Sequence, residues 1–425
     1  MIGSISLALL VLMALSIPVG VILFILGIGV DIFYSPFPLI RGLGQVVWSA
    51  TDSSLLIAIP FFVLLGEVLV RAGIAERTYR ALDMWFSWLP GGLIHANIGT
   101  ATMFSATSGS SVATAATVAT VAMPQAERLG YDPRLFSGAI AAGGTLGIMI
   151  PPSINLIVYG FLTETSIPRL FLAGLLPGLL LALGFMAVSA LLCLWRPDLG
   201  GPSDQSFTWR QRLIHLKDLV PIVVLFAVVI GSIYLGWATP TESAVIGVAM
   251  AMAIAAGQRG LTVAAMREAL LGTIRITSMI MFVIIGAYFL NYTLASAGLG
   301  QALRDLLAGL DLGHTGTLLA IVLLYIVLGF FIETLSLMVA TIPIVVPIVT
   351  GLGYDPVWFG ILLILLIEMA LITPPVGLNL YVVQGTRKRG SLTEVMVGAI
   401  PYVATMLVMA VLLILFPAIA LWLPG

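Results

Sequence analysis

The residues best placed to do chemistry flank two consecutive-proline breaks set in apolar sequence, GIMIPPSINLIVYG at 147–160 and LITPPVGLNLYVV at 371–383. Two prolines remove two amide donors and block the helix, so carbonyls one turn earlier lose their partners. In a bilayer those oxygens must find another ligand. Ser153 and Asn155 beside the first break, and Thr373 and Asn379 beside the second, add neutral oxygens. Hard cations such as sodium prefer such donors. The competing account is a proline kink healed by a neighbouring helix or by water. Duplication of the break favours the cation site.

A stretch rich in small residues precedes each break. In TMFSATSGSSVATAATVATVAMP (102–124), Ser105, Ser108, Ser110 and Ser111 crowd around Gly109, where the backbone can turn sharply and approach a ligand closely. We assign Ser108 to Ser111 to a hairpin tip and 113–120 mostly to small-residue helix packing. The second stretch, LGFFIETLSLMVATIPIVVP (328–347), carries Glu333. A carboxylate is costly in hydrocarbon unless it is paired or faces a polar cavity. Glu333 therefore either serves a site or accepts hydrogen bonds from local amides and fixes the hairpin. Glu368 has no local partner and faces either a polar interior or another subunit. Glu67 and Arg71 read as an i,i+4 pair, and Glu242 after Pro240 and Thr241 as a helix cap.

The elements that position these residues are membrane helices. Of 425 residues, 60% are hydrophobic and 9% charged, against about 25% charged in soluble domains, and the mean hydropathy is +1.16. A water-soluble fold is excluded; the chain reads as an all-α polytopic membrane protein. A net charge of −1 gives no reason to expect nucleic acid. The lone Cys193 cannot form an internal disulfide, and His95, His215 and His314 lack metal-ligand spacing. No P-loop, Gly-x-Ser-x-Gly or His-Glu-x-x-His pattern occurs, so no enzyme is indicated.

The apolar N-terminus, residues 1–30, reads as the first retained span. Further spans are expected near 53–70, 91–106, 134–150, 168–195, 218–237, 242–257, 272–296, 314–332, 356–373 and 395–422. That makes about eleven transmembrane helices. The broken stretches 107–125 and 334–350 read as parts of two re-entrant hairpins.

A hydrophilic stretch at 196–217 divides the chain in two. LGYDPRLFSGAIAAGGTLGIMIPP (129–152) aligns without gaps with LGYDPVWFGILLILLIEMALITPP (352–375), and eight of the 24 positions are identical, mostly turn-formers and prolines. Pro124 and Pro347 keep the same register. The first repeat is then 1–195, with hairpin 91–125 and broken helix 134–162. The second is 218–425, with hairpin 314–350, broken helix 356–385 and a C-terminal helix. An odd number of crossings per half would make the repeats inverted. Repeats with interrupted hydrophobic segments at matching places mark secondary transporters, whose sites lie near the midplane where the repeats meet.

The set GTLGIMIPPSINLIVYG, LFLAGLLPG (170–178), TPTESAVIG (239–247) and DPVWFGILLILLIEMALITPPVGLNLYVVQG (355–385) resembles the large membrane subunit of tripartite ATP-independent periplasmic (TRAP) transporters, from about residue 5 to the C-terminus. The resemblance implies sodium-driven uptake of an organic anion across a bacterial inner membrane. It implies a soluble periplasmic binding protein and a small four-helix membrane subunit as partners, the latter expected as a separate chain because no such segment precedes residue 1. It also implies an elevator, in which hairpins and broken helices form a transport domain that slides against a scaffold. The first sodium site would involve Ser105, Ser108, Gly109 and Ser110 with backbone from Gly143 to Gly147. The second would involve Gly329, Glu333 and Ser336 with Thr373, Pro374 and Gly377. Substrate would lie between the tips near Ser111, Asn155 and Asn379. Many relatives carry Asp where this chain has Glu333.

Two rivals stand beside this expectation. One is a self-sufficient ion-coupled carrier of the same repeat architecture; the other is an intramembrane enzyme using Glu333 or Glu368 as acid or base.

Overall fold

The computed structural model describes residues 2–15, 17–35, 38–201, 207–258, 260–298, 313–330, 332–387 and 390–425, and their regular structure is helical throughout. In chain order the α-helices are α1 (Ile2–Ala14), α2 (Val19–Tyr34), α3 (Leu43–Thr51), α4 (Ala58–Arg71), α5 (Ile74–Phe86), α6 (Leu93–Ser108), α7 (Ser111–Leu129), α8 (Pro133–Met149), α9 (Ile154–Thr163) and α10 (Ile167–Trp195). After them come α11 (Trp209–His215), α12 (Val220–Tyr234), α13 (Pro240–Gly257), α14 (Val263–Ser296), α15 (Gly313–Gly329), α16 (Thr334–Gly351), α17 (Pro356–Ala370), α18 (Leu378–Thr386), α19 (Leu392–Leu415) and α20 (Ala418–Leu421).

The repeated Leu-Gly-Tyr-Asp-Pro motif builds the same junction twice. Gly130 and Gly353 sit past the ends of α7 and α16 at φ 71° and 87°, a conformation open to glycine at no steric cost. The Asp132 carboxylate then accepts hydrogen bonds from the amides of Arg134 and Leu135 at 2.9 and 3.0 Å. Asp355 accepts from Val357 and Trp358 at 2.6 and 3.2 Å. Pro133 and Pro356 occupy the first helical positions, where a missing N–H costs nothing.

The two helices so started, α8 and α17, are buried on every side. This explains why their sequences are apolar without helical periodicity. α8 packs against α6, α7, α10 and α19, and α17 against α10, α15, α16 and α19. The halves also interlock: α9, which follows the first break, packs on α16 of the second hairpin, and α18, which follows the second break, packs on α7 of the first. Tyr159 of α9 donates to the Pro356 carbonyl at 2.7 Å and ties the two broken helices together. Beside this body α2, α3, α4 and α13 gather around α14 and one another.

Among the described residues six segments, one of them the broken pair α8–α9, are each long and apolar enough to cross a membrane, or eight if each of two bent pairs counts as one span. Most of the other expected spans fall on shorter or bent apolar helices. The N-terminal span is corrected. Ile2–Ala14 and Val19–Tyr34 are two helices rather than one, because Pro18 has no amide to continue α1 and disfavours helical backbone at Ile17. Helix α5 was absent from the hydropathy reading; it bends 69° from α4 and exposes Glu76 and Arg80 while burying Ala75, Thr78, Tyr79 and Leu82. In the mid-chain linker, of which 202–206 lie outside the described residues, α11 docks on this helix: the Trp85 indole donates to the Arg212 carbonyl at 3.2 Å.

Candidate functional site

The first hairpin tip rests on the first break. Helix α6 ends at Gly109, whose backbone is left-handed (φ 57°), and Ser110 caps α7 by accepting from the Ala113 amide at 3.4 Å. A Cβ on Gly109 would lie 3.2 Å from the Pro152 carbonyl oxygen. A Cβ on Gly147 would lie 2.8 Å from the Ser110 carbonyl oxygen and 3.0 Å from Thr114 Oγ1. Only glycine permits both approaches, so oxygens of the tip and of the break share one small volume. Beyond the cis Pro151–Pro152 bond, the buried Ser153 hydroxyl accepts from the Leu156 amide at 3.3 Å and starts α9.

Ser105 is buried on α6 and donates to the Ala101 carbonyl at 2.5 Å, which leaves its lone pairs available. Gly143 stands apart from the tip. A Cβ there would meet the Ala101 methyl at 2.9 Å, so it serves the crossing of α6 and α8. Ser108 closes α6, and its side chain lies outside the described residues.

The second hairpin repeats the pattern with a different residue. Each residue of the first repeat matches the one 223 positions later, Leu129 with Leu352, and this register sets Glu333 on Ser110. Both cap the returning helix. Glu333 accepts from the amides of Leu335 and Ser336 at 3.0 and 2.9 Å and from the Thr334 hydroxyl at 3.1 Å. An acid in this position is favoured by the positive end of α16. Its carboxylate is solvent-accessible, so the local hydrogen bonds do not use all of its oxygen lone pairs.

Gly329 meets the second broken helix, with a Cβ there falling 2.6 Å from the Ala370 methyl. The Thr373 hydroxyl donates to the Met369 carbonyl at 2.6 Å. Gly377 (φ 49°) starts α18, and a Cβ there would lie 3.1 Å from the Thr373 carbonyl. Pro374, in the second cis Pro-Pro pair, is exposed. Among the described residues no hydrogen bond joins Glu333 or Ser336 to Thr373, Pro374 or Gly377. Gly329 is thus the member of the hairpin set that touches the broken helix.

A cavity of about 130 Å³ opens between the tips and the wall made by α4 and α14, with Ser110, Ser111, Asn155, Glu333 and Glu67 around it. Asn155 is 6% exposed, and its amide nitrogen has no hydrogen-bond partner. Asn379 is wholly buried behind Ser111, between α7 and α8. Its amide nitrogen donates to Ser111 Oγ at 2.8 Å and to the Ala141 carbonyl at 3.1 Å. Of the three expected substrate residues, two line the cavity and the third supports one of them.

Glu67 is the site residue that sequence reasoning missed. Its bond with Arg71 exists, and Arg71 also lies 3.5 Å from Glu268. Its place on the cavity wall follows from α4 packing across the tips, which i,i+4 spacing does not encode. Glu242 forms a capping box with Thr239.

Residues 6–419 match the family model described as the tripartite ATP-independent periplasmic transporter, DctM component. The C4-dicarboxylate TRAP transporter large permease protein of Rhodobacter capsulatus is 34% identical over 87% of each chain. The sialic acid TRAP transporter large permease protein of Vibrio cholerae is 32% identical over 89% of this chain and 88% of that one. The isethionate TRAP transporter permease protein DctMQ of Oleidesulfovibrio alaskensis is 31% identical over 90% of this chain and 60% of its own length. In fold alone, the chain resembles the YdaH transporter of Alcanivorax borkumensis, with a TM-score of 0.59 at 16% identity over 91% of this chain and 89% of that one. This is a transporter family and not a family of enzymes, which removes the intramembrane acid–base rival. With the match running nearly end to end and relatives above 30% identity, the chain belongs to the DctM family, the large permease component of tripartite ATP-independent periplasmic transporters.

Proposed function

We propose that this chain carries sodium-coupled uptake of a small organic anion across the bacterial inner membrane. It would act with a small membrane subunit and a periplasmic binding protein that delivers the substrate. The observation that carries the reading is the contact of the first hairpin tip with the first break, where peptide and hydroxyl oxygens converge without a fixed charge. A hard monovalent cation suits such a neutral oxygen set. The first sodium site is assigned to Ser105, Ser108, Gly109 and Ser110 with the backbone at Gly147. The second is assigned to Gly329, Glu333 and Ser336 on the hairpin with Thr373, Pro374 and Gly377 on the break.

Substrate is assigned to the cavity between the tips. Asn155 offers a free amide donor there, Ser111 offers a hydroxyl, and Asn379 holds Ser111 in place. The related permeases are named for C4-dicarboxylates, sialic acid and isethionate. All are organic acids, and a neutral donor set suits any such anion. The cavity is smaller than the ~300 Å³ of an ordinary ligand site, so a larger substrate would enter only with the tips parted. The crossed packing of α9 on α16 and α18 on α7 supports movement of hairpins and broken helices as one body. The scaffold would then be α2, α4, α13 and α14, in an elevator of inverted repeats with about eleven crossings. Uptake by vesicles holding this chain and its small subunit tests the reading: uptake should need binding protein outside and should fail when potassium replaces sodium.

A further inference from the structure

Glu368 is the one acidic residue among the described residues that is wholly buried, and both its carboxyl oxygens lack a hydrogen-bond partner. It lies near the end of α17, three residues before Leu371, and that spacing places both on one helix face. Leu371 forms part of the cavity wall. The carboxyl thus sits one turn behind the surface that the cavity presents.

The surroundings contain nothing to neutralise a carboxylate. The helices packed on α17 are α8, α9, α10, α15, α16, α19 and α20. Their buried titratable groups are Tyr159, Tyr325, Tyr402 and Cys193. Tyr159 is bonded to the Pro356 carbonyl, Tyr325 to Thr341 and Tyr402 to Ser189. Arg134, Arg169 and His314 lie exposed near helix starts, and Glu333 and Glu394 belong to the caps or first turns of α16 and α19. Among the described residues no ion pair reaches Glu368. A bare carboxylate so placed would carry the full desolvation penalty with no compensation.

We propose that Glu368 is a proton-binding site: in this conformation the side chain is the neutral acid, and its proton exchanges through the cavity wall when the hairpin tips part. The bound species is H⁺ on a carboxylate oxygen, with no other atom transferred. Glu368 is not a member of either sodium assignment, and the proposal does not depend on them.

Infrared spectra of the purified full-length chain at neutral pH give the direct test. The wild type should show the carbonyl stretch of a protonated carboxyl, shifted in D₂O and absent from Glu368→Gln and Glu368→Met. In vesicles, wild-type uptake should fall about tenfold per pH unit once the medium is alkaline enough to ionise the group, whereas Glu368→Gln, which cannot lose the proton, should keep its rate. Sodium dependence, measured in the same vesicles with potassium as control, reports on the separate sodium reading. Lack of the carboxyl band in the wild type, its survival in both variants, or an unchanged alkaline fall in Glu368→Gln overturns the proposal.

Discussion

Asn379 and Ser111 are 268 residues apart in sequence, and the Asn379 amide donates to the Ser111 hydroxyl at 2.8 Å in a wholly buried setting. The bond joins the helix after the second break to the first turn of the first hairpin's returning helix. The two halves are thereby held at the edge of the cavity itself.

Removing either partner should therefore destabilise the protein. Asn379→Ala should cost about 1–3 kcal/mol, since it removes two buried hydrogen bonds, to Ser111 and to the Ala141 carbonyl, and Ser111→Ala about 1 kcal/mol. The double variant should cost less than the sum. Thermal unfolding of the four purified proteins measures the coupling; strict additivity would show that the bond contributes nothing.

Asn155 should behave in the opposite way. Its amide nitrogen has no partner to lose, so Asn155→Leu should leave the unfolding temperature unchanged or raised. If the amide meets substrate, the same variant should raise the KM for uptake about tenfold, the worth of one hydrogen bond. A destabilised variant with an unchanged KM would place Asn155 in the scaffold instead.

Glu333 is asked to do two things, and two substitutions separate them. Glu333→Gln keeps an acceptor for only one of the amides of Leu335 and Ser336, which now use different carboxylate oxygens, and loses the charge, so it should cost about 1 kcal/mol in stability. As a cation ligand it should raise the sodium needed for half-maximal uptake about tenfold. Glu333→Asp preserves the charge and should stay close to wild type in both. Equal sodium dependence in all three proteins would leave Glu333 with the cap alone.

Much of this arrangement was legible in the sequence where local chemistry dictates it. The Asp-Pro helix starts at Asp132 and Asp355, the turn at Gly109 and the proline breaks need nothing beyond their own residues. Burial of α8 and α17 on all sides also shows, as apolar runs without period. What depends on tertiary packing was hidden. Gly143 and Gly147 are one turn apart on α8, yet one meets Ala101 and the other the Ser110 carbonyl. Asn155 and Asn379 follow equivalent breaks, yet one faces the cavity and the other is spent on Ser111. The two prolines of the second break are followed by one more residue before Asn379 than the first break has before Asn155. The N-terminal pair of helices shows the reverse case: Pro18 carried the signal, and the length of the apolar run masked it.

The central claim is that a cation is held where a hairpin tip meets a severed helix, and Gly147 gives the sharpest probe of it. A methyl there would fall 2.8 Å from the Ser110 carbonyl oxygen and push the tip away. The decisive measurement is the sodium-concentration dependence of uptake in vesicles containing wild type or Gly147→Ala, with the small subunit present and binding protein outside. The account predicts no uptake in potassium and at least a tenfold rise in half-saturating sodium for the variant, about 1.4 kcal/mol. Full wild-type uptake in potassium, or superimposable sodium curves for two equally folded proteins, would contradict it.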